Sequence, residues 1–513
     1  MTDAARLAAA ISFLLAGLAA PSSAQGARPM TIAGLGTVTF PVTTRSAAAE
    51  SAFVRGVLLL HVFEYDDAAA AFRRAERLDS GLALAYWGEA MTHDHPVWDE
   101  EDVPAARAAL LRYAPDAAAR EARAPTPRER GFLHAVDLLF GDGPKARRDT
   151  LYSQAMVSLL AANPSDDEAR AFFALSLLGL SQGVRNVPTY LRAAGIAESV
   201  FRRNPDHPGA AHYWIHGMDD PAHAARALPA ARALSQIAPD AGHAQHMTSH
   251  IFMALGMWHD VVRANLDARR VAGGKSFCGH GNFWLEYGYL QLGDTTHAGE
   301  LMRGCRARAA GSTVDAADPD NSPLGSAVEM WARYVIDTKA WSGGDARWAP
   351  ALPAGAWSRA TWEFICGLAA AGRSDAAGFG VARAGFDRSR ALLEKWIVEQ
   401  PYDPENEESR KRLDVLGLEL EGLGERLAGR SDSTVTLLRR ATMVEDSMAF
   451  AFGPPDVDEP SHELLGQVLL ALGRWAEAQG EYEAALRKAP GRVSALAGLA
   501  RAHEHAVRGS GLR

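Results

Sequence analysis

The chain has 513 residues, of which 48% are hydrophobic and 22% charged, and its formal net charge at pH 7 is −9. This composition is typical of a folded protein, and the length suits either several globular domains or one long repeat array. Because the chain is acidic and has no long basic run, its composition argues against nucleic acid or an anionic membrane as the main partner.

The first 24 residues predict a secretory signal peptide. Arg6 supplies a positive charge, an apolar stretch runs from Leu7 to Ala20, and small residues follow at 22–24. The apolar stretch is too short to remain as a transmembrane helix, and no later stretch reaches about 18 apolar residues. We therefore expect an exported protein, periplasmic or secreted, without a membrane span.

Cysteines are few and odd in number: Cys278, Cys305 and Cys366. In an oxidising compartment this number predicts one disulfide and one free thiol, and the sequence leaves the pairing open. No C-x-x-C motif is present, which argues against a thiol redox role.

Four segments follow the leader in chain order. Residues 25–48 predict an extended lead-in with one short strand, because Thr, Val and Phe alternate there among glycines. Helical periodicity fills 49–310, which we interpret as a first array of helical hairpins. Residues 311–358 are rich in Gly, Pro and Asp and predict a joint and a long loop. Helical patterns resume over 359–513 as a second array.

A 34-residue interval relates the central histidines. His212 and His216 are spaced i, i+4, and His246 and His250 repeat that spacing 34 residues later. On a helix each pair shares one face. An interval of 34 is the period of the tetratricopeptide repeat, a helix–turn–helix unit. The two pairs are therefore predicted to occupy equivalent sites on equivalent helices.

Two further histidines extend this pattern. His243 lies one turn before His246 on the same predicted helix. His280 falls at the site equivalent to His243 in the next repeat, provided that three extra residues there lie in a loop, where insertions are tolerated.

Several motifs together resemble the tetratricopeptide-repeat superfamily and, more narrowly, a group of exported bacterial repeat proteins with His-rich motifs. They are HVFEYDDAAAAFRRAERLD (61–79), AYWGEAMTHDHPVW (85–98), HPGAAHYWIH (207–216), HAQHMTSHIF (243–252), WLEYGYLQLG (284–293) and FGPPDVDEPSHELLGQVLLALGR (452–474). The resemblance implies an all-α fold, a right-handed α-solenoid of tetratricopeptide-like helical hairpins. It also implies a binding scaffold for a protein or extended peptide, whose concave groove carries the histidines.

The histidine cluster predicts a transition-metal site. Five or six imidazoles in one patch would repel one another if protonated, whereas metal coordination uses their neutral forms. Imidazole suits zinc, copper, iron or nickel, and of these we expect zinc or copper. The predicted ligands of one ion or a close cluster are His212, His216, His246 and His250, with His243 and His280 as further candidates. The alternative is a hydrogen-bonded histidine network without metal.

A bound metal with an open position would make a metal-dependent enzyme the alternative function. No substrate is selected by the sequence. The carboxylates that could serve such a site are Asp219, Asp220, Asp240 and Glu286, although Asp219 and Asp220 also fit a turn before Pro221.

The remaining histidines and the nearby methionines have simpler interpretations. We expect ordinary hydrogen-bonding roles for His61, His95, His134, His207, His223 and His259, and a partner for His61 in Glu64. Core packing is the expectation for Met218, Met247 and Met253, whose thioethers would otherwise favour copper.

Overall fold

The computed structural model describes residues 28–274, 278–312 and 318–510. The predicted signal peptide at 1–24 lies outside the described residues, as do the first three residues of the predicted lead-in. Within the described ranges, no helix combines the length and apolar character needed to cross a membrane.

Across these ranges the chain forms 23 α-helices and two short β-hairpins, which confirms the predicted all-α fold class. The first twelve helices are α1 (Ala47–His61), α2 (Tyr65–Leu78), α3 (Ala83–Met91), α4 (Val103–Tyr113), α5 (Ala117–Arg123), α6 (Pro127–Leu139), α7 (Lys145–Ala162), α8 (Asp167–Gly179), α9 (Val187–Arg203), α10 (Pro208–Met218), α11 (Leu228–Ile237) and α12 (Gly242–Ala254). The others are α13 (Trp258–Val271), α14 (His280–Gln291), α15 (Thr295–Ala309), α16 (Pro323–Thr338), α17 (Trp357–Gly372), α18 (Ala376–Glu399), α19 (Pro404–Leu427), α20 (Ser431–Asp446), α21 (Ser461–Ala471), α22 (Trp475–Lys488) and α23 (Val493–Ser510).

The strands are very short. β1 (Met30–Ile32) pairs antiparallel with β2 (Gly36–Val38), so the lead-in contains a small hairpin where one strand was predicted. β3 (Asp94–His95) pairs in the same way with β4 (Glu100–Glu101) between two helices.

The first helical hairpin shows why this sequence packs as repeats. The Ser46 side chain caps α1 by accepting a hydrogen bond from the backbone N–H of Ala49, a donor that the helix itself leaves unpaired. Phe72 of α2 fills a space that only glycine leaves open. A Cβ atom on Gly56 or on Gly88 would lie 2.7 or 2.3 Å from its ring.

Consecutive helices form hairpins that stack side by side. α1 packs on α2, α8 on α9, α10 on α11 and α12 on α13, while the first helices of neighbouring hairpins also touch, as along α8, α10 and α12. Each hairpin has an apolar face that it cannot bury alone, so stacking builds a continuous core and a solenoid. One core cluster extends from Leu35 to Tyr287 and a second from Leu285 to Ala502.

The lead-in runs along the inside of the first hairpins. Phe40 is 3% exposed, and its ring contacts Phe53, Trp87, Phe132 and Phe172 at centroid distances of 5.1 to 6.4 Å. These four rings belong to α1, α3, α6 and α8, the first helices of four successive hairpins. The chain itself therefore occupies the inner face there, whereas the resemblance implied an open groove.

The C-terminal helices close back onto the middle of the solenoid. The indole N–H of Trp258, on α13, donates to the carbonyl oxygen of Gly491 at 2.9 Å. The guanidinium of the next residue, Arg492, donates to Asp337 at 2.9 Å and to the Tyr287 hydroxyl at 3.1 Å. These contacts connect the last two helices to α13, α14 and α16.

One disulfide joins Cys278 to Cys305, and Cys366 is a free thiol. The sequence left this pairing open. The bridge ties the segment just before α14 to α15 and so fixes the chain two residues before His280.

Candidate metal centre

The six predicted ligands come from the first helices of three successive hairpins, α10, α12 and α14. The structure divides them into two groups, and in each group one nitrogen from every ring lies within 4.8 Å of the others. We call these groups the first triad, formed by His212, His216 and His243, and the second triad, formed by His246, His250 and His280.

The repeat interval predicted that both i, i+4 pairs hold one ion or a close cluster. In the structure, the two pairs fall into different groups. Instead, each pair is completed by the first histidine of the following helix. His243 completes the pair on α10, and His280 completes the pair on α12.

In the first triad, the nitrogens of one pair face each other. The Nε2 atoms of His212 and His216 are 3.1 Å apart. His212 donates through Nδ1 to the backbone carbonyl of His61 at 2.8 Å, so its Nε2 carries the lone pair. His243 is oriented by its backbone N–H, which donates to the Glu64 carboxylate at 2.9 Å. Its own buried Nε2 has no hydrogen-bond partner among the described residues.

In the second triad, hydrogen bonds behind two rings fix their tautomers. His246 donates through Nδ1 to Oδ1 of Asn265 at 2.6 Å, and the Asn265 amide is held by donation to the carbonyl of Val261. His250 donates through Nδ1 to the carboxylate of Asp219 at 2.6 Å. The two Nε2 atoms, 3.3 Å apart, are therefore both acceptors that face each other.

Burial keeps these imidazoles neutral. Desolvation lowers the pKa of His212 and of His246 to about 4. Burial first, and neighbouring imidazoles second, lower the pKa of His216, His243 and His250 well below the usual value. At neutral pH each ring therefore offers one lone pair, the form that binds a metal.

Aromatic rings enclose both triads. Phe63 lies 4.4 Å from His212 and 5.8 Å from His216, with a φ of 56° that side chains of its size rarely adopt. Trp284 lies 4.2 Å from His250, and Phe452 lies 5.4 Å from the same ring. Strained backbone of this kind concentrates at functional sites, where surrounding structure holds it in place.

A cavity of about 670 Å³ adjoins the triads. His243 and His246 line it, and His280, which is exposed, also borders it. Arg55 and Asp240 contribute charged groups to its wall. The cavity gives a small molecule a route to rings of both triads.

Of the four candidate carboxylates, only Asp219 contacts a triad histidine. Asp220 pairs with Arg185 at 2.7 Å and accepts from His223 at 2.8 Å, which fits the simpler interpretation as a turn. Asp240 lines the cavity. Glu286 is fully buried on α14, and burial raises its pKa well above the usual value.

The methionines near the triads belong to the core, as expected. Met218, Met247 and Met253 are 1%, 1% and 5% exposed and pack in the first core cluster.

A third buried group supports the first triad from behind. His61 bonds the Glu168 carboxylate and the Tyr213 hydroxyl, each at 2.9 Å, so its predicted pairing with Glu64 is wrong. Burial opposes ionisation of Glu168, but His207 and His61 together hold the pKa of this carboxyl well below its usual range. His61, Glu168 and His207 also lie close enough to share a cation.

Hydrogen-bonding roles hold for the other histidines whose contacts are described. His95 bonds Glu100, His134 bonds Glu121, His223 bonds Asp220, and His207 caps α10 by accepting from the backbone N–H of Ala210.

Asn265, Glu64 and Glu168 are the supporting residues that sequence reasoning missed. They lie on other helices or in a loop, and no spacing connects them to the histidine motif.

No family model and no curated protein sequence matches this chain. Its fold is similar to solved helical-repeat structures at low identity. Yeast Tom70 is 13% identical over 90% of this chain and 96% of that chain, with a TM-score of 0.37. The TPR domain of P58(IPK) is 14% identical over 90% and 99%, with a TM-score of 0.21. The human IFIT1 dimer with PPP-AAAA is 12% identical over 90% and 91%, with a TM-score of 0.34. These likenesses concern the helical fold alone.

Proposed function

We propose that this protein binds two transition-metal ions, one in each histidine triad, with zinc and copper as the candidate metals. The observation that carries the proposal is the pair formed by His246 and His250. When His246 and His250 donate hydrogen bonds through Nδ1 to Asn265 and Asp219, both Nε2 atoms present lone pairs to each other at 3.3 Å. Two lone pairs at this distance repel, and a cation between them turns that repulsion into two bonds.

The groups behind the ligands support the proposal. Metal-binding histidines usually donate their second ring N–H to a carbonyl, an amide oxygen or a carboxylate, which sets the tautomer and the ring orientation. His212, His246 and His250 each have such an acceptor, and the three acceptors come from three different elements. A hydrogen-bonded network without metal would place a proton between the facing nitrogens. In the first triad, a neutral His216 can supply this proton from its Nε2 atom. In the second triad, burial raises the pKa of Asp219 to about 7, so the protonated carboxyl can donate to Nδ1 of His250 and leave the proton on Nε2.

Metal analysis of untagged protein tests the proposal. Protein purified without chelators, or loaded with zinc or copper and then desalted, is expected to carry two ions per chain. Its melting temperature is expected to rise with metal, because an ion that binds only the folded state stabilises it by mass action. Metal-free protein that shows no thermal shift with either ion would favour the hydrogen-bonded network instead.

We further propose that the protein is exported, as the segment 1–24 predicts, and that metal binding takes place outside the cytoplasm. Mass spectrometry of the N-terminus of protein isolated from its native compartment checks this. A chain that retains residues 1–24 would contradict export.

A second candidate function is a scaffold for a protein or extended peptide, since helical repeats build long binding surfaces. An exposed apolar strip on α18 favours it. Val381, Leu392 and Trp396 share one face of that helix and are 75%, 46% and 49% exposed. We expect an extended apolar segment of a partner to lie on this strip.

Photo-crosslinking from position 396 in cells tests the scaffold. One partner peptide is expected to crosslink there, and Leu392→Glu is expected to abolish the product. Met443→Glu, at an exposed apolar site on α20, serves as the control. A product that is unaffected by Leu392→Glu, or that is only a second copy of this chain, would contradict the proposal.

A further inference from the structure

Resting on the proposed metal binding, we infer that the two triads form one dinuclear copper centre that binds dioxygen. The inference joins four observations: the contact between the triads, their neutral ligands, the aromatic enclosure and the adjoining cavity.

The triads are in direct contact. The rings of His216 and His250 are 5.9 Å apart, and those of His243 and His246 are 6.1 Å apart, centre to centre. Imidazole nitrogens bind metals at about 2.0–2.1 Å, so ions held by the two triads would be neighbours. Paired metals about 3.5–4 Å apart hold one substrate between them, and the triads are close enough for this arrangement.

The ligand set favours copper(I) over two divalent ions. All six ligands are imidazoles, which bind a metal in their neutral form, and neither triad includes a carboxylate or thiolate. The carboxyl group of Asp219 bonds a ligand ring, and it does so behind His250. Repulsion between two divalent ions is four times that between two univalent ions at equal distance. Because no ligand compensates that charge, copper(I) fits this buried site better than zinc.

Three ligands per ion leave room for a bound molecule. Charged groups line the approach through the cavity, whereas the aromatic rings around the ligands favour a small and uncharged molecule. Phe63, Trp284 and Phe452 cover the ligand rings, so an ion or a large polar substrate would lose its hydration there. Dioxygen has no such hydration to lose. The cavity lined by His243 and His246 gives it access from outside.

Reduction of dioxygen to peroxide by the two copper ions needs no electrons from any other group of the protein. Each copper(I) ion gives one electron, and dioxygen accepts both, so that peroxide lies between two copper(II) ions. No proton is required for this step. An added reductant such as ascorbate supplies the two electrons that restore copper(I), and two protons from water release the peroxide as hydrogen peroxide.

The test loads the full-length mature protein with copper(I) under anaerobic conditions and then admits air-saturated buffer. We expect an uptake of one dioxygen per two copper ions. The oxidised sample is expected to give almost no electron paramagnetic resonance signal, because two copper(II) ions joined by one bridge couple their spins. Acid denaturation of the same sample should release a signal of two copper(II) ions per chain.

Variants locate the effect. His216→Gln is expected to keep one copper ion, to show its paramagnetic signal after oxidation with ferricyanide, and to lose the dioxygen uptake. His250→Gln should do the same through the other triad, in case the first variant fails to fold. His297→Gln is the control, because His297 is exposed on α15, where it pairs with Asp294 and stacks on Tyr289, and it belongs to neither triad. It should behave as the unmodified protein.

The outcomes separate the two proposals. If neither copper nor zinc binds, the proposed function is overturned together with this inference. If two copper ions bind but both give full signals before denaturation, or if no dioxygen is taken up, only the inference is overturned. Binding of zinc with exclusion of copper also overturns only the inference.

Discussion

Replacement of His250 by glutamine is expected to remove one of the two bound ions and to lower the melting temperature of the metal-loaded protein. His250 supplies an Nε2 ligand to the second triad, and glutamine leaves that triad with two imidazoles. With free metal at 100 times its dissociation constant, one bound ion stabilises the folded state by about 2.7 kcal/mol. Loss of that ion should therefore lower the unfolding free energy by about this amount.

Elemental analysis and thermal melts, each with and without chelator, measure the effect. His216→Gln is the matched variant in the first triad and should also leave one ion. His297→Gln should leave two. The metal account would fail if His250→Gln kept both ions, or if its melting temperature fell by the same amount in chelator as in metal.

Replacement of Arg492 by methionine is expected to destabilise the protein by about 3–5 kcal/mol, with or without metal. Arg492 is 1% exposed, and its guanidinium bonds both the Glu463 and Asp337 carboxylates. Its removal leaves two buried carboxylates without their main cation, and breaking a buried ion pair typically has this cost.

Urea unfolding monitored by circular dichroism measures this loss. Arg474→Met is the control, because Arg474 and its partner Glu477 are 32% and 43% exposed, and exposed pairs contribute about 0–1 kcal/mol. Equal effects of the two substitutions would show that the C-terminal closure does not depend on the buried arginine.

The repeat interval predicted much of this architecture because it reports on local structure. The 34-residue spacing placed His212 and His246 on equivalent helices, and the i, i+4 spacing placed each pair on one face. Gly56 leaves the space that the ring of Phe72 fills within the first hairpin. Such features depend on helix geometry and on the packing within one repeat. The sequence of a single repeat is therefore enough to predict them.

The grouping of the ligands could not be predicted in this way. The grouping depends on how far α12 is shifted along its axis relative to α10. That shift brings His243 next to His212 and not next to the residue at the equivalent repeat position. The carbonyl of His61 at the end of α1, the side chain of Asn265 and the carboxyl group of Asp219 then orient the rings. These contacts join elements that are distant in sequence and leave no periodic signal.

The filled inner face of the first hairpins is a second feature that the sequence did not predict. The resemblance implied a groove open to a peptide, but Phe40 inserts among the rings of four hairpins. The sequence of a short apolar segment does not indicate whether the segment will lie on the surface or inside the solenoid. Its place follows from the size of the inner space, which is a property of the assembled array.

Anomalous X-ray scattering from crystals of the copper-loaded protein tests the central claim most directly. Two peaks are predicted, each about 2.0–2.1 Å from ring nitrogens of one triad. One should be bound by His212, His216 and His243, and the other by His246, His250 and His280. A single peak between the two i, i+4 pairs, or copper only at surface histidines, would contradict the account.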